Sequence, residues 1–570
     1  MRLKILNIIF AGFTCVILCT LFYLQVIRGN YYYELGKSNC IRLITQKAKR
    51  GTIYDRNGVV VADNKPSFDV VAIPQELKDA DSSFDYLSRL LGKNKEELLR
   101  KFNLGRWAPF APVVVVRNIS REEAIRLEEN KDNAPGIEIE INAQRFYPLG
   151  EATSHLLGYI GQIDRFRITR LKDYGYKIKD MVGYSGVEEY YDNFLRGEDG
   201  GTQVEVDNRG RQVRMLGARA PKQGRNVTLT IDSRMQKIAY NLLEGKKGAI
   251  IFMDPRDGEI LCLVSSPAFS PNVFIERDND ALINSYFRDS SAPLLNRAIK
   301  GLYAPGSVFK VITMLSALET GKITPATSFF CNGHFFLGAH EFSCWEAHGL
   351  QDLRQAVVHS CDVFFYHLGL MAGPDLLNKY AKEFGLGSLT LIDLPAESKG
   401  QVSSRMLKKM TRNETWYNGD TVNFSIGQGD LLVTPIQMVK MMALVVSENM
   451  GIRPHVVKKV ADKEILYKAS ESKLKIKSDS LEKARSYLRA VVQDNTGTAH
   501  ILEIEKLGIA GKTGTVQVAK GKPHAWFVGY FPQGQPQLVF CVFLENGGSS
   551  SNACVIARQM FEEMLQQKIL

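Results

Sequence analysis

Cysteine is sparse in this chain, nine residues in 570, and that excludes a scaffold stapled by disulfides. Seven of the nine lie beyond the apolar start of the sequence, an odd number that cannot pair completely. Internal repeats and low-complexity tracts are both absent, which removes solenoids and disordered arrays from consideration. Basic residues exceed acidic ones, 72 against 61 for a net charge of +11, yet nowhere do they gather into a concentrated stripe. Nucleic-acid binding is therefore disfavoured, and the excess suits an anionic lipid or polymer. The rest is ordinary for folded protein: 45% hydrophobic and 23% charged residues, at a length too great for one core, so two or more domains are expected.

Charge is missing altogether between Lys4 and Arg28, and the run from Ile5 to Ile27 is long enough to cross a bilayer as a helix. A cleaved signal peptide fits less well, because the stretch is too long and no small-x-small site precedes Arg28. Arg2 and Lys4 direct the N-terminus to the cytoplasm, with Arg28 and Lys37 opposing them, so everything after one span is expected outside. From Arg50 the pattern is strand, turn, strand; Ser120 to Glu123 is a capping box before a helix, and 137–141 alternates as a strand. Ser185 and Glu188 read as a helix cap rather than a site. Texture changes near Asp232, where a helix is followed by two strands joined by Pro255-Arg256-Asp257-Gly258, a helical block, and late strands around Gly511 and Phe527. The expected fold is α+β: an anchor over 1–28, a β-rich pedestal over 29–231, and over 232–570 a domain with one antiparallel sheet backed by helices. A Lys/Ser/Glu-rich stretch between Leu466 and Leu488 reads as an exposed excursion.

Chemistry concentrates at Tyr303-Ala304-Pro305-Gly306-Ser307-Val308-Phe309-Lys310. Pro305 and Gly306 make a turn, the apolar residues that follow make a buried helix, and Ser307 and Lys310 share one face of it. An unassisted serine is a poor nucleophile, and a desolvated lysine at this spacing can take its proton. Spacing alone is weak, since Ser470/Lys473, Ser472/Lys475 and Ser480/Lys483 repeat it in the lysine-rich stretch. Two further motifs follow in order. Ser360-Cys361-Asp362 offers a second hydroxyl beside an acid, and Lys512-Thr513-Gly514-Thr515 places a cation and two hydroxyls on a strand edge, with Gly514 where a substrate must lie close. Singly these read as a capped helix, a turn serine and a surface lysine; Ser550-Ser551-Asn552 is such a stray match.

Five of the nine histidines and three cysteines fall within Cys331 to His367. Cys331, Cys344, His348 and Cys361 are the residue types zinc prefers, four close a tetrahedral structural site, and Cys361 lies inside the Ser360-Cys361-Asp362 loop. The competing reading is a Cys331-Cys344 disulfide with Cys361 as a small buried hydrophobe, and His334 or His340 could replace His348 as ligand.

The three motifs in this order resemble the serine acyltransferases that penicillin inactivates. The anchor, Arg50 to Gly58, Gly183 to Glu188, Gly427-Gln428-Gly429, Thr434-Pro435, Thr496-Gly497-Thr498-Ala499 and Trp526 to Tyr530 extend the resemblance to class B, monofunctional penicillin-binding proteins over essentially the whole chain. Asp362 replaces the usual Asn, which is similar to the elongation branch rather than the division enzymes. The resemblance implies D,D-transpeptidation of peptidoglycan stem peptides, with β-lactams as inhibitors and no cofactor for catalysis. Ser307 would be the nucleophile, Lys310 its base, Ser360 the proton relay, Asp362 an orienting group and Lys512 a source of positive potential, while Thr513, Gly514 and Thr515 would form the substrate edge. It also implies a metal at the cysteine cluster in some members, a membrane glycan polymerase of the shape, elongation, division and sporulation type as partner, and elongation scaffold proteins. The segment before Asp232 carries no glycosyl-transfer motif and reads as a non-catalytic pedestal. A D,D-carboxypeptidase or β-lactamase shares the triad; a β-lactam sensor or an inactive assembly scaffold is the reading from another class.

Overall fold

The computed structural model describes residues 2–33, 41–77, 79–106, 112–171, 175–178, 180–207, 212–276, 279–447, 451–467, 474–504, 507–519 and 521–570. Lys37, Ser470, Ser472 and Lys473 lie outside them. The described chain forms two compact units, one of Met1–Arg50, Asn64–Gln144 and Arg196–Gly224, the other of Gly51–Asp63, Arg145–Leu195 and Arg225–Leu570.

In the first unit a helix covers Arg2–Phe22 and continues as a π-helical turn over Tyr23–Ile27. The 25 residues from Leu3 to Ile27 are apolar all round, and none of the most hydrophobic window is buried in protein. At 1.5 Å rise per residue such a helix exceeds the ~30 Å hydrocarbon thickness, so it is a single membrane anchor. Next in this unit comes a sheet in which the later residues of Val60–Ala72 pair antiparallel with Val113–Ile119 and pair also with Ile137–Phe146, under three helices. Those helices start where the sequence supplies caps: Asp79, Asn94, and Ser120 with the reciprocal capping box to Glu123 that the spacing predicts. Phe84, Leu87, Phe102, Val115 and Leu127 fill the core between helices and sheet. A separate three-stranded sheet pairs Ile41–Gln46 with Gly200–Val206 and Gln212–Arg219. The strands of this region are joined by three capped helices.

The second unit is built on a five-stranded antiparallel sheet. In chain order its strands are β1 (Lys247–Met253), β2 (Ile260–Ser266), β3 (Ala510–Val516), β4 (His524–Phe531) and β5 (Leu538–Glu545). Their spatial order is β2-β1-β5-β4-β3, which leaves β3 at an edge. β1 and β5 are buried along nearly their whole length instead of alternating, the signature of a sheet covered on both faces. The helices are α1 (Ser233–Leu242), α2 (Lys310–Glu319), α3 (Asp362–Ala372), α4 (Pro435–Ser447), α5 (Ser478–Gln493) and α6 (Ser550–Gln566). α1 and α6 pack on each other and on the sheet, α4 and α5 do likewise, and α2 packs against α3.

Two expectations are corrected here. Ser185 does begin a short helix, Gly186–Tyr190, but its hydroxyl makes no cap hydrogen bond. Glu188 instead pairs with Arg145 at 2.7 Å, with side chains 0% and 1% exposed, and Tyr147 Oη adds a bond of 3.3 Å. The Ser-x-x-Glu spacing imitates a capping box, and a buried ion pair takes the carboxylate because an unpaired charge there would cost far more. The second correction falls within 466–488: from Ser478 on the chain is α5, whose Leu481, Ala484, Leu488, Val491 and Val492 are buried. Its single lysine, Lys483, and the exposed Asp479 and Glu482 lie off that buried face. Ser480 of the misleading Ser480/Lys483 pair bonds Glu319.

Candidate active site

The site forms where a tight turn presses against the edge strand. Gly306 has φ +56°, and a Cβ there would lie 2.6 Å from Val516 Cγ2 and 3.0 Å from Thr515 O, so only glycine lets the turn approach β3 this closely. Gly514 shows the same closeness from the strand side: a Cβ would lie 2.9 Å from both Pro305 O and Val308 Cγ2. Gly306–Phe309 is a 3-10 turn that feeds directly into α2, placing half-buried Ser307 at the mouth of the helix and Lys310 at its first residue, as the spacing predicts.

Lys310 is 1% exposed and its ammonium is engaged on three sides. It donates to Ser360 O at 2.6 Å, Ser360 Oγ at 3.2 Å and Asp362 Oδ1 at 2.7 Å. The Phe365 ring centroid lies 5.2 Å from Nζ and completes the cage. Asp362 is the first residue of α3, where a carboxylate is also favoured by the helix dipole. Ser360 is buried and has φ +54°, a left-handed conformation that an L residue seldom adopts. The structure thus brings both Ser360 and Asp362 into direct contact with Lys310.

Lys512 is fully buried on β3, and its hydrogen bonds go to Thr513 O and Thr513 Oγ1, each at 3.3 Å. Burial drives its pKa well below the ordinary lysine value, and the Lys310 charge pushes the same way against the weaker pull of Asp362. Thr513 is buried and shares a 2.8 Å hydrogen bond with Thr498 Oγ1. Sequence alone gives Thr498 no site role, because Thr496-Gly497-Thr498 follows Asp494-Asn495 in a stretch that signals only a turn. Thr515 is exposed, and its hydroxyl accepts from Ser550 N at 3.2 Å.

Beside this site lies the cysteine cluster. One ligand atom each from Cys331, Cys344, His348 and Cys361 falls within 4.8 Å of all the others. All three cysteines are free thiols, so the Cys331-Cys344 disulfide does not form here. His348 Nδ1 lies 3.6 Å from both Cys331 Sγ and Cys344 Sγ. Cys331 ends a strand (Ser328–Cys331) that pairs with Gly349–Asp352, and Cys344 follows a hairpin of His334–Leu337 and His340–Ser343. That hairpin carries His334 and His340 out of the cluster, and His334 pairs with Glu341. The hydrogen bond from Cys361 pulls the Cys344 thiol well below the ordinary cysteine value, while the same bond and then burial push Cys361 up. Three sulfurs and an imidazole nitrogen converging this closely, with one thiol already acidified, fit a tetrahedral zinc ion.

A serine on a turn, a lysine on the following helix, and a Lys-Thr-Gly edge strand on an antiparallel sheet are the arrangement of a serine acyltransferase of the penicillin-binding class. Comparison with known proteins agrees: the family "Penicillin binding protein transpeptidase domain" matches residues 248–566, and "Penicillin-binding Protein dimerisation domain" matches 45–229. The chain belongs to this family, as a class B member of the penicillin-binding protein 2 type. It is 32% identical to peptidoglycan D,D-transpeptidase MrdA of Acinetobacter baumannii, over 98% of this chain and 87% of the relative. It is 31% identical to the Escherichia coli K12 protein of the same name, over 97% and 92%. Among solved structures it resembles penicillin-binding protein 2 of Helicobacter pylori in complex with MreC, with TM-score 0.82 and 29% identity over 93% of this chain and 99% of that one. The Pseudomonas aeruginosa protein in complex with WCK 5153 gives TM-score 0.71 and 28% identity over 92% and 96%. The chain is thus a membrane-anchored peptidoglycan D,D-transpeptidase.

Proposed function

We propose that the acyl-enzyme of this transpeptidase forms on Ser307, and the contact of Lys310 with both Ser360 and Asp362 is the observation that carries the assignment. Ser307 Oγ attacks the carbonyl of the penultimate D-alanine, and its proton passes to Lys310 in the free-amine form. Asp362, 2.7 Å away, holds the ammonium that results. Ser360 Oγ, 3.2 Å from Lys310 Nζ, hands a proton on to the departing D-alanine nitrogen. Backbone N–H groups of Ser307 and Thr515 receive the oxyanion, each worth about 3 kcal/mol. Thr513, Gly514 and Thr515 form the edge along which the stem peptide lies, with Thr513 and Thr515 holding its terminal carboxylate and Lys512 supplying positive potential near it. An amine from a neighbouring stem then takes the acyl group and Ser307 recovers its proton. Cys331, Cys344, His348 and Cys361 would hold a structural zinc, which supplies a closed tetrahedral staple and no reacting group. Cys344 Sγ also accepts from Asp362 N at 3.2 Å, tying that staple to the catalytic loop.

Residues 29–231 serve as the non-catalytic pedestal, and with the anchor they meet a membrane glycan polymerase and elongation scaffold proteins. This reading draws support from the solved complex of the Helicobacter pylori relative with MreC and from a similar chain in a peptidoglycan synthase complex that coordinates polymerization and crosslinking. The test of the site is covalent labelling by a fluorescent penicillin, which Ser307→Ala should abolish; labelling that survives refutes the assignment. Incubation with lipid-linked strands ending in D-Ala-D-Ala, together with a polymerase, should yield cross-links rather than trimmed stems.

A further inference from the structure

Ser360 is held in a conformation that its own chemistry does not favour. With φ +54° it turns both its carbonyl and its hydroxyl to Lys310 Nζ, at 2.6 and 3.2 Å. A left-handed residue of this kind persists only where its surroundings over-determine it. The residues on either side show what does so. On one flank Asp362 N donates to Cys344 Sγ. On the other, the indole Nε1–H of Trp345 donates to the carbonyl of His359 at 3.0 Å. The His359 ring is fixed at both nitrogens, Nδ1 to Gln351 Oε1 at 2.7 Å and Nε2 to Thr496 Oγ1 at 2.9 Å. It also stacks on His348, with centroids 5.7 Å apart and planes 6° from parallel, and His348 in turn meets the edge of Trp345.

Trp345 is otherwise an unlikely place to find an indole. The side chain is 59% exposed, so burial of its ring does not account for its position. Its one polar atom reaches the carbonyl of the residue that precedes Ser360 in the chain. Rotation of the peptide that follows His359 is what would release Ser360 from its left-handed state, and a hydrogen bond on the His359 carbonyl opposes that rotation directly.

We propose that Trp345 is a positioning residue for the acyl-transfer step: its indole N–H, acting with the Thr496 contact across His359, locks the peptide before Ser360 and so keeps the Ser360 hydroxyl on Lys310. The proposal rests on the assignment of Ser360 to proton transfer. It predicts an effect on the chemical step and none on the recognition of ligand, because Trp345 contacts the loop backbone and leaves the β3 edge untouched.

The test is Trp345→Phe in the full anchored chain, which keeps an aromatic ring and removes the N–H. Fluorescent penicillin serves as the probe, and the acylation rate constant is separated from the non-covalent Kd by its dependence on penicillin concentration. Loss of one such hydrogen bond should slow acylation about fivefold, with the Kd, the melting temperature and the zinc content as in the wild type. An unchanged acylation rate overturns the proposal. So does a slowed rate that comes with lost zinc or a lowered melting temperature, since the indole would then be acting through the cluster or the fold. Should Trp345→Phe not fold, Thr496→Val removes the hydroxyl on the other side of His359 and must slow the same rate constant. Wild-type labelling at Ser307 is read alongside: its failure sinks the assignment of the site, whereas normal labelling with an unaffected variant sinks only the role of Trp345.

Discussion

Replacing Gly514 by alanine tests whether the close approach of the serine turn to β3 sets the reaction geometry. The added Cβ would lie 2.9 Å from Pro305 O and 2.9 Å from Val308 Cγ2. Carbon contacts relax at about 3.5–4.0 Å, so turn and strand must separate by roughly 0.5–1 Å. Val308 can rotate, but the carbonyl of Pro305 is backbone and can only move with the turn that carries Ser307. A misplacement of about 1 Å at a reacting group costs on the order of 10²-fold in rate. Overpacking of this kind also destabilises by about 1–3 kcal/mol, which leaves the domain folded at 25 °C. Gly534→Ala is the control, because nothing lies within 4 Å of its Cβ position. The measurement is the second-order rate constant for acylation by a fluorescent penicillin, with thermal unfolding on the same samples. Gly514→Ala should acylate about 30- to 100-fold more slowly while remaining folded, and Gly534→Ala should match the wild type. Acylation of Gly514→Ala within threefold of wild type would refute the reasoning, as would a loss that only tracks the unfolded fraction.

Three other outcomes are expected. Glu188→Ala leaves the Arg145 guanidinium buried without its partner, so it should cost about 3–5 kcal/mol and lower the melting temperature by several degrees while penicillin labelling in the cold persists; an unchanged melting temperature contradicts it. Burial lowers the pKa of His155 to about 4, whereas the unfolded chain takes that proton near 6.5; stability from this residue is therefore complete above about pH 6.5 and is lost as pH falls towards 4, and His155→Gln should remove about 2 kcal/mol of the decline between pH 7 and 5 seen in denaturant titrations. Protein purified without chelator should carry about one zinc per chain, and Cys361→Ser should lose both the metal and acylation rate; no metal, together with a linked Cys331-Cys344 peptide under non-reducing conditions, would rule the site out.

Local features of the site were legible in the sequence because short-range geometry fixes them. Ser307 and Lys310 sit on one turn, the apolar run after Lys310 reads as buried helix, and Lys512-Thr513-Gly514-Thr515 reads as a strand edge from its hydroxyls and from a glycine where another chain must lie close. Long-range choices were not legible. Glu188 finds Arg145 forty-three positions away, and the capping-box spacing gave a plausible local substitute for a contact that only the tertiary fold makes. Charge hid α5, since Lys468, Lys473, Lys475 and Lys477 dominate the stretch that leads into it while its own apolar residues recur at helical spacing. His348 rather than His334 or His340 joins the cysteines because a hairpin projects the other two outward, and no spacing rule encodes that. The left-handed state of Ser360 has no signature in residue type at all, since serine supplies neither the freedom of glycine nor the side-chain amide that makes asparagine tolerant there.

β3 ends the sheet, and among the described residues no further strand pairs with its outer side. The stem peptide proposed above to lie along that side would complete the sheet as a guest sixth strand for as long as the acyl bond lasts. Such a guest is gripped chiefly by its main chain, so the enzyme reads the extended shape and the terminal carboxylate before it reads side chains. An exposed edge would ordinarily invite other proteins to pair with it. Here the serine turn lies so close to the strand that glycine is required on both surfaces, which leaves less of that edge open to a passing strand.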